Sequence, residues 1–177
     1  MLMFKPELVI KCGIYTHQKV NSCSLSQNIG YEPFYANTAD YDVSTVPKSW
    51  LKIPAMRHAM AIYPDTPYFW YLGPRSLIMN EDLSLETHLL QSSRLDELML
   101  KDVPVVPPDS VIKTYKTLTA DAVDVILTQD QWGVSTESFV LRQGEWAKFF
   151  LDAWFDPLYR SYNFKKAELH ALEHLIQ

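Results

Sequence analysis

Glycine is scarce in this sequence, with five residues in 177. No Gly-rich loop able to cradle a phosphate can be assembled from them, which argues against a P-loop or dinucleotide fingerprint. Long apolar runs are missing as well. No stretch approaches the roughly 18–20 residues that a bilayer-spanning helix needs. The start, Met1-Leu2-Met3-Phe4-Lys5-Pro6-Glu7, is broken by charge and proline and makes a poor signal peptide. Nothing in the chain is expected to insert into a membrane. There is no Lys/Arg-rich run, Lys165-Lys166 being only a pair, and the formal net charge is −5. A surface for a phosphate backbone is therefore not expected, and nucleic acid is set aside as a partner. Cysteine is limited to Cys12 and Cys23. Their spacing suggests neither a metal site nor a redox motif; pairing stays open, with free thiols the plainer reading. Ser49 and Ser138 lack the Gly-x-Ser-x-Gly setting of a hydrolase nucleophile.

What is present is enough apolar material for one domain. Hydrophobic residues make up 47% and aromatics 13% of the chain. Up to about Ser26 the sequence shows no clear period. Tyr31 to Ala36 reads as a short strand after a turn at Gly30, and Asn37 to Ser44 as a polar loop. Trp50, Ile53, Met56, Met60 and Tyr63 recur at helical spacing, with Ser49 as a candidate cap and Pro54 allowed only early. Tyr68 to Leu72 is an aromatic run bounded by prolines and Gly73, which predicts a buried strand; a sugar-stacking surface is the less favoured reading. Leu77 to Met79 is a second short apolar run. Two short helices are expected over Leu85–Leu90 and Ser93–Leu100, then a rigid extended segment over Val103–Pro108. Strands are expected over Val123–Leu127 and Ser138–Leu141. A helix follows over Glu145–Ala153, its stripe formed by Trp146, Phe149, Phe150, Ala153 and Trp154. A last helical face comprises Phe164, Glu168, Ala171, Leu172, Leu175 and Ile176. Strands alternating with helices predict an α/β layered domain.

Two short motifs carry possible metal chemistry. His170-Ala171-Leu172-Glu173-His174 has the H-x-x-E-H spacing that places two histidines on one helix face, as in inverted zinc peptidases. An exposed helix face is the plainer account. Asp40-Tyr41-Asp42 has the D-x-D spacing that holds a divalent cation against a diphosphate, but it falls in a polar loop with no strong strand before it.

Ordered blocks carry more weight than either motif. They begin with Trp50-Leu51-Lys52-Ile53-Pro54-Ala55-Met56-Arg57, Tyr63-Pro64, Tyr68 to Leu72 and Ile78-Met79-Asn80. They continue through Leu85 to Leu89, Thr128-Gln129-Asp130, Ser138-Phe139 with Arg142, Glu145-Trp146, Trp154 to Pro157 and Ala171 to Leu175. Taken together, they resemble the fungal galactosyl/mannosyltransferases, glycosyltransferase family 34. Met99 to Ser110 adds a likeness to the α-1,6-mannosyltransferase subunits of the Golgi mannan polymerase II complex. The resemblance covers about Gly30 to Gln177. It implies a GT-A-like, Rossmann-type mixed sheet flanked by helices, incomplete at both ends, with residues 1–29 a poorly defined segment. It further implies a retaining α-mannosyltransferase using GDP-mannose, a glycan acceptor and Mn2+ on the donor diphosphate. A type II Golgi membrane protein with a lumenal domain is implied too, as is company with other mannosyltransferase subunits in fungal mannan and cell-wall synthesis.

The departures from the family pattern select the candidate site residues. The pattern Trp-x-Leu-Asp-x-Asp after the aromatic strand becomes Trp70-Tyr71-Leu72-Gly73-Pro74-Arg75. Both carboxylates are gone, so no metal ligand is assigned. Arg75 cannot ligate a metal but is suited to bind a diphosphate directly, a solvated turn being the alternative. Glu137 stands where the family has glycine, and Glu168-Leu169 where it has an acidic residue followed by glutamine. The resemblance then assigns Asp130 and Glu168 as catalytic and Arg75, Ser138 and Gly73 as substrate-binding. A metal-binding histidine of the family would lie beyond Gln177. A second reading follows from the lost carboxylates: a non-catalytic scaffold subunit within a mannosyltransferase complex.

Overall fold

The computed structural model describes residues 11–12, 31–43, 45–73, 76, 78–80, 82–130 and 133–177. Two short strands come first, β1 (Lys11–Cys12) and β2 (Glu32–Pro33). A 3-10 turn over Lys48–Leu51 leads directly into helix α1 (Lys52–Ile62). Ser49 lies inside that turn instead of capping the helix, and no side chain caps α1. Pro54 is accommodated because the amides of a helix's first turn have no intrahelical acceptor to lose. Strand β3 (Tyr68–Leu72) follows, then a π-type turn over Glu86–Leu90 and helix α2 (Ser92–Leu98). Strands β4 (Val125–Asp130) and β5 (Gly133–Arg142) form a hairpin. Helices α3 (Glu145–Trp154), α4 (Pro157–Ser161) and α5 (Glu168–Ile176) complete the chain.

The described strands form one mixed sheet in the order β2-β1-β3-β5-β4. β1 runs parallel to both β2 and β3, whereas β5 is antiparallel to β3 and to β4. The expected mixed α/β architecture is therefore present. β3 sits mid-sheet between a parallel and an antiparallel neighbour, which explains its unbroken apolar character. The β4–β5 pairing contains a large irregularity. Leu127 faces Phe139, yet the next residue, Thr128, faces Ser135, so Thr136, Glu137 and Ser138 have no partner on β4. A bulge of this kind re-aims side chains and bends the strand.

Helices α1, α3 and α5 pack over the β3–β5 centre. Trp154, Phe139 and Phe150 form the aromatic middle of the core, with ring centroids 5.8 Å apart for Phe139–Trp154 and for Phe150–Trp154. Tyr71 stacks on Phe139 at 5.1 Å. Of the expected α1 face, Trp50, Ile53, Met56 and Met60 are buried, whereas Tyr63, just past the helix end, is half-buried. The expected stripe of α3 is out of phase by one residue. The buried face is Ala147, Phe150, Leu151 and Trp154, while Trp146 and Phe149 are 48% and 69% exposed. Close helix packing selects the small Ala147 for the interior. Trp146 lies flat on Phe150, at 5.3 Å and 10°, and so keeps one of its faces covered.

Other differences are local. Only Glu32–Pro33 of the expected Tyr31–Ala36 strand is paired, and Met79 of the second apolar run is 89% exposed. The β5 strand is longer than expected because its first half is polar. Asp156-Pro157 ends α3 as expected but also starts α4: Asp156 accepts from the Leu158 amide at 2.7 Å and Pro157 takes the first helical position. Phe164 precedes α5 instead of belonging to it.

The phase of α3 makes a direct prediction. Leu151→Ala removes a fully buried side chain and is expected to lower the unfolding free energy by about 2–5 kcal/mol. Phe149→Ala, on the exposed face, is expected to change it by less than about 1 kcal/mol. Urea denaturation of both variants checks the assignment; equal losses would place both side chains in the core.

Candidate functional site

The three bulged residues of β5 reach in two directions. Thr136 faces inward to a buried charged pair. The Lys52 ammonium, at the start of α1, donates to Glu168 Oε1 at 2.9 Å, to Thr136 Oγ1 at 3.0 Å and to the Thr136 carbonyl at 3.2 Å. Thr136 Oγ1 donates in turn to Glu168 Oε1 at 3.4 Å. The side chains of Lys52 and Glu168 are only 4% and 7% exposed. The ammonium also lies over the Tyr71 ring, 5.3 Å from its centroid. Glu168 opens α5, and its backbone carbonyl accepts from the Trp154 indole at 2.8 Å. One ion pair thus ties α1, β5 and α5 together.

Ser138 and Glu137 face the other partner, β3. Ser138 sits opposite Leu72, and its Oγ accepts from the Trp70 indole at 2.9 Å. The Glu137 carbonyl accepts from the Gly73 amide at 2.7 Å and from Ser76 Oγ at 3.3 Å. Gly73 is buried directly beyond β3 and opens a turn closed by the Ser76 amide on the Gly73 carbonyl at 3.0 Å. A Cβ built on Gly73 would lie 2.5 Å from Glu137 Oε2 and 2.9 Å from the Glu137 carbonyl oxygen. The Glu137 side chain therefore occupies the space over Gly73.

The expected site residues divide accordingly. Gly73, Ser138 and Glu168 are brought together around one bulge, each linked to it by a hydrogen bond or close contact. Asp130 ends β4 and pairs with Gly133, which puts its backbone at the same end of the sheet as Gly73. Arg75 and Pro74 lie outside the described residues. Lys52 and Thr136 were not singled out from sequence, although a signal existed. Lys52 falls four residues before Met56 and seven before Ala59, on the face that α1 buries.

The short metal motifs do not assemble. His170 and Glu173 approach at 3.8 Å within one helix, and Phe164 packs against both His170 and His174. Asp40 and Asp42 sit exposed, at and just after a 3-10 turn. Among the described residues no group of three or more His, Cys, Asp or Glu side chains is placed to hold a metal ion. Among the described residues at the end of β3, Gly73 offers no side-chain oxygen to a divalent cation, and the space over it is taken by the Glu137 side chain. No described helix is long and apolar enough to cross a membrane.

The family model of the galactosyl transferase GMA12/MNN10 family matches residues 12–177. The chain belongs to that family. Among its relatives, an uncharacterized alpha-1,2-galactosyltransferase of Schizosaccharomyces pombe is 37% identical over 129 residues, covering 73% of this chain and 39% of the relative. An alpha-1,2-galactosyltransferase of the same yeast is 31% identical over 132 residues, covering 72% and 35%. The probable alpha-1,6-mannosyltransferase MNN11 of Saccharomyces cerevisiae is 34% identical over 114 residues, covering 64% and 27%. Galactosyl- and mannosyltransferases both appear, so the family does not choose the hexose. The chain spans well under half the length of each of these relatives.

The buried pair yields a stability prediction. Lys52→Met leaves the Glu168 carboxylate without its charge partner and is expected to cost about 3–5 kcal/mol. The double change Lys52→Met with Glu168→Leu is expected to recover most of that loss, because no unpaired charge remains. Denaturant unfolding of the single and double variants measures it. A double variant as unstable as the single would show that packing, not charge, sets the cost.

Proposed function

We propose that this chain is the part of a fungal-type glycosyltransferase that carries the end of the sheet facing a nucleotide sugar, and that it serves transfer of a hexose to a glycan acceptor. The observation that carries this reading is the convergence of Gly73, Ser138 and the Thr136–Glu168 contact at one bulge, at the sheet end where β3 and β4 finish. Ligands of open α/β sheets bind outside the carboxyl ends of their strands. In this reading the donor is GDP-mannose or the corresponding nucleotide galactose. Ser138 presents a hydroxyl whose lone pairs are oriented by the Trp70 indole. Gly73 brings backbone to the strand end. Arg75, two residues on, is always protonated and meets the diphosphate. Asp130, whose backbone ends β4, takes its catalytic role from the family resemblance alone. Glu168 acts from within the core, where its pairing with Lys52 and Thr136 fixes the bulge. Retention of configuration, a Golgi lumenal setting behind a membrane anchor, and association with other mannosyltransferase subunits are further parts of the proposal, supported by family resemblance.

A second reading is favoured by one observation, the Glu137 side chain lying over Gly73. A carboxylate there repels a diphosphate, and the chain would then serve as a scaffold subunit that stabilises catalytic partners of a mannan-building complex.

Incubation with labelled GDP-mannose or labelled nucleotide galactose and a mannoside acceptor tests the first reading. Transfer from one of the two is expected, with Ser138→Ala lowering kcat/KM about tenfold, the worth of roughly one hydrogen bond. Absence of both transfer and donor binding by calorimetry overturns it. Retention of catalytic subunits on co-purification, without donor binding, would establish the scaffold reading.

A further inference from the structure

We infer that Glu137 supplies, from β5, the side chain that fills the end of β3, so that Gly73 and Glu137 form one coupled pair and this strand end works without a divalent cation. The proposal deepens the functional reading and rests on it for the site's location. Three observations carry it. The space a Cβ at position 73 would take is already occupied by Glu137 Oε2, at 2.5 Å, closer than real Cβ contacts come. The pair is held in register by the Gly73 amide on the Glu137 carbonyl at 2.7 Å, and Ser76 Oγ adds a second bond to the same oxygen. Glu137 owes its position to the bulge, since Thr136 and Ser138 on either side are fixed by Lys52 and by the Trp70 indole.

A side chain at 73 therefore cannot be added without moving Glu137. An acidic residue there would place a second carboxylate on the first, with like charges in contact. The sequence has instead a cation, Arg75, close behind. Among the described residues, strand β3 thus ends at a residue with no side-chain oxygen, and the carboxylate beside it is that of Glu137, from the neighbouring strand.

The experiment combines a stability cycle with manganese titration, neither of which reads transfer, so its failure is separate from failure of the functional reading. Gly73→Ala is expected to lower Tm by several degrees. In the Glu137→Ala background the same change is expected to cost measurably less, the remainder reflecting the backbone oxygen at 2.9 Å, which that substitution leaves in place. An equal Tm loss in both backgrounds overturns the coupling. By electron paramagnetic resonance, the wild-type chain is expected to bind no stoichiometric Mn2+. The triple variant Gly73→Asp, Arg75→Asp, Glu137→Gly is expected to gain a site that the double variant retaining Glu137 lacks. Wild-type binding of one Mn2+ that is lost in Glu137→Gln overturns the proposal.

Discussion

The buried ion pair between Lys52 and Glu168 is the constraint on which the rest of this arrangement depends. Taking two charges out of water costs several kcal/mol per ion, recovered only if geometry and extra hydrogen bonds are good. Here the ammonium finds a carboxylate, a hydroxyl and a carbonyl within 3.2 Å, with an aromatic face beyond. Those partners come from α5 and β5, and the lysine comes from α1. The charges are satisfied only when all three elements are docked. An apolar contact in the same place would tolerate sliding by a fraction of a turn; a three-acceptor ammonium does not.

That rigidity is passed to the bulge. Thr136 is held from below by Lys52, and Ser138 from the side by the Trp70 indole, which leaves Glu137 a narrow range of positions between them. Glu137 in turn fixes the backbone at Gly73 through its carbonyl. The path from the core to the strand end is thus a chain of named contacts. It explains how residues as far apart in sequence as 52, 73, 137 and 168 come to share one region. It also accounts for the polar content of β5 at a place where an ordinary core strand would carry alternating apolar residues.

Much of the fold was legible in the residues. The α1 face, the β3 strand and the start of α3 follow from spacing and composition alone. The phase of α3 did not, because its two exposed aromatics, Trp146 and Phe149, outweigh the small Ala147 in any count of apolar bulk, whereas packing favours the small residue. The bulge was illegible because it is a property of pairing between strands, and no local pattern in Thr136-Glu137-Ser138 announces it. For the same reason the site was read as separate substitutions, at 73 and 137, when the structure joins them. Lys52 was passed over because a lysine in a helix is ordinarily solvated; its position on the buried face, in step with Met56 and Ala59, was the available signal.

The charge at the strand end gives the Gly73–Glu137 pair its meaning. Two carboxylates holding one divalent ion sum to zero. One carboxylate, Glu137, with one guanidinium, Arg75, also sums to zero. Under the functional reading proposed above, the sequence exchanges the parts and keeps the net charge of the residues that a diphosphate would meet. The difference lies in how the charge is distributed. A divalent ion concentrates two charges at one point and tolerates ligand exchange. A guanidinium spreads one charge over five fixed donors and binds phosphate oxygens in pairs. Like charges at about 4 Å repel by about 4 kcal/mol at an effective dielectric near 20, so a carboxylate at that distance disfavours a diphosphate unless a cation offsets it. Under the functional reading proposed above, donor binding at this sheet end is consequently a matter of whether Arg75 offsets Glu137, and the same two residues decide between a working transferase and a scaffold.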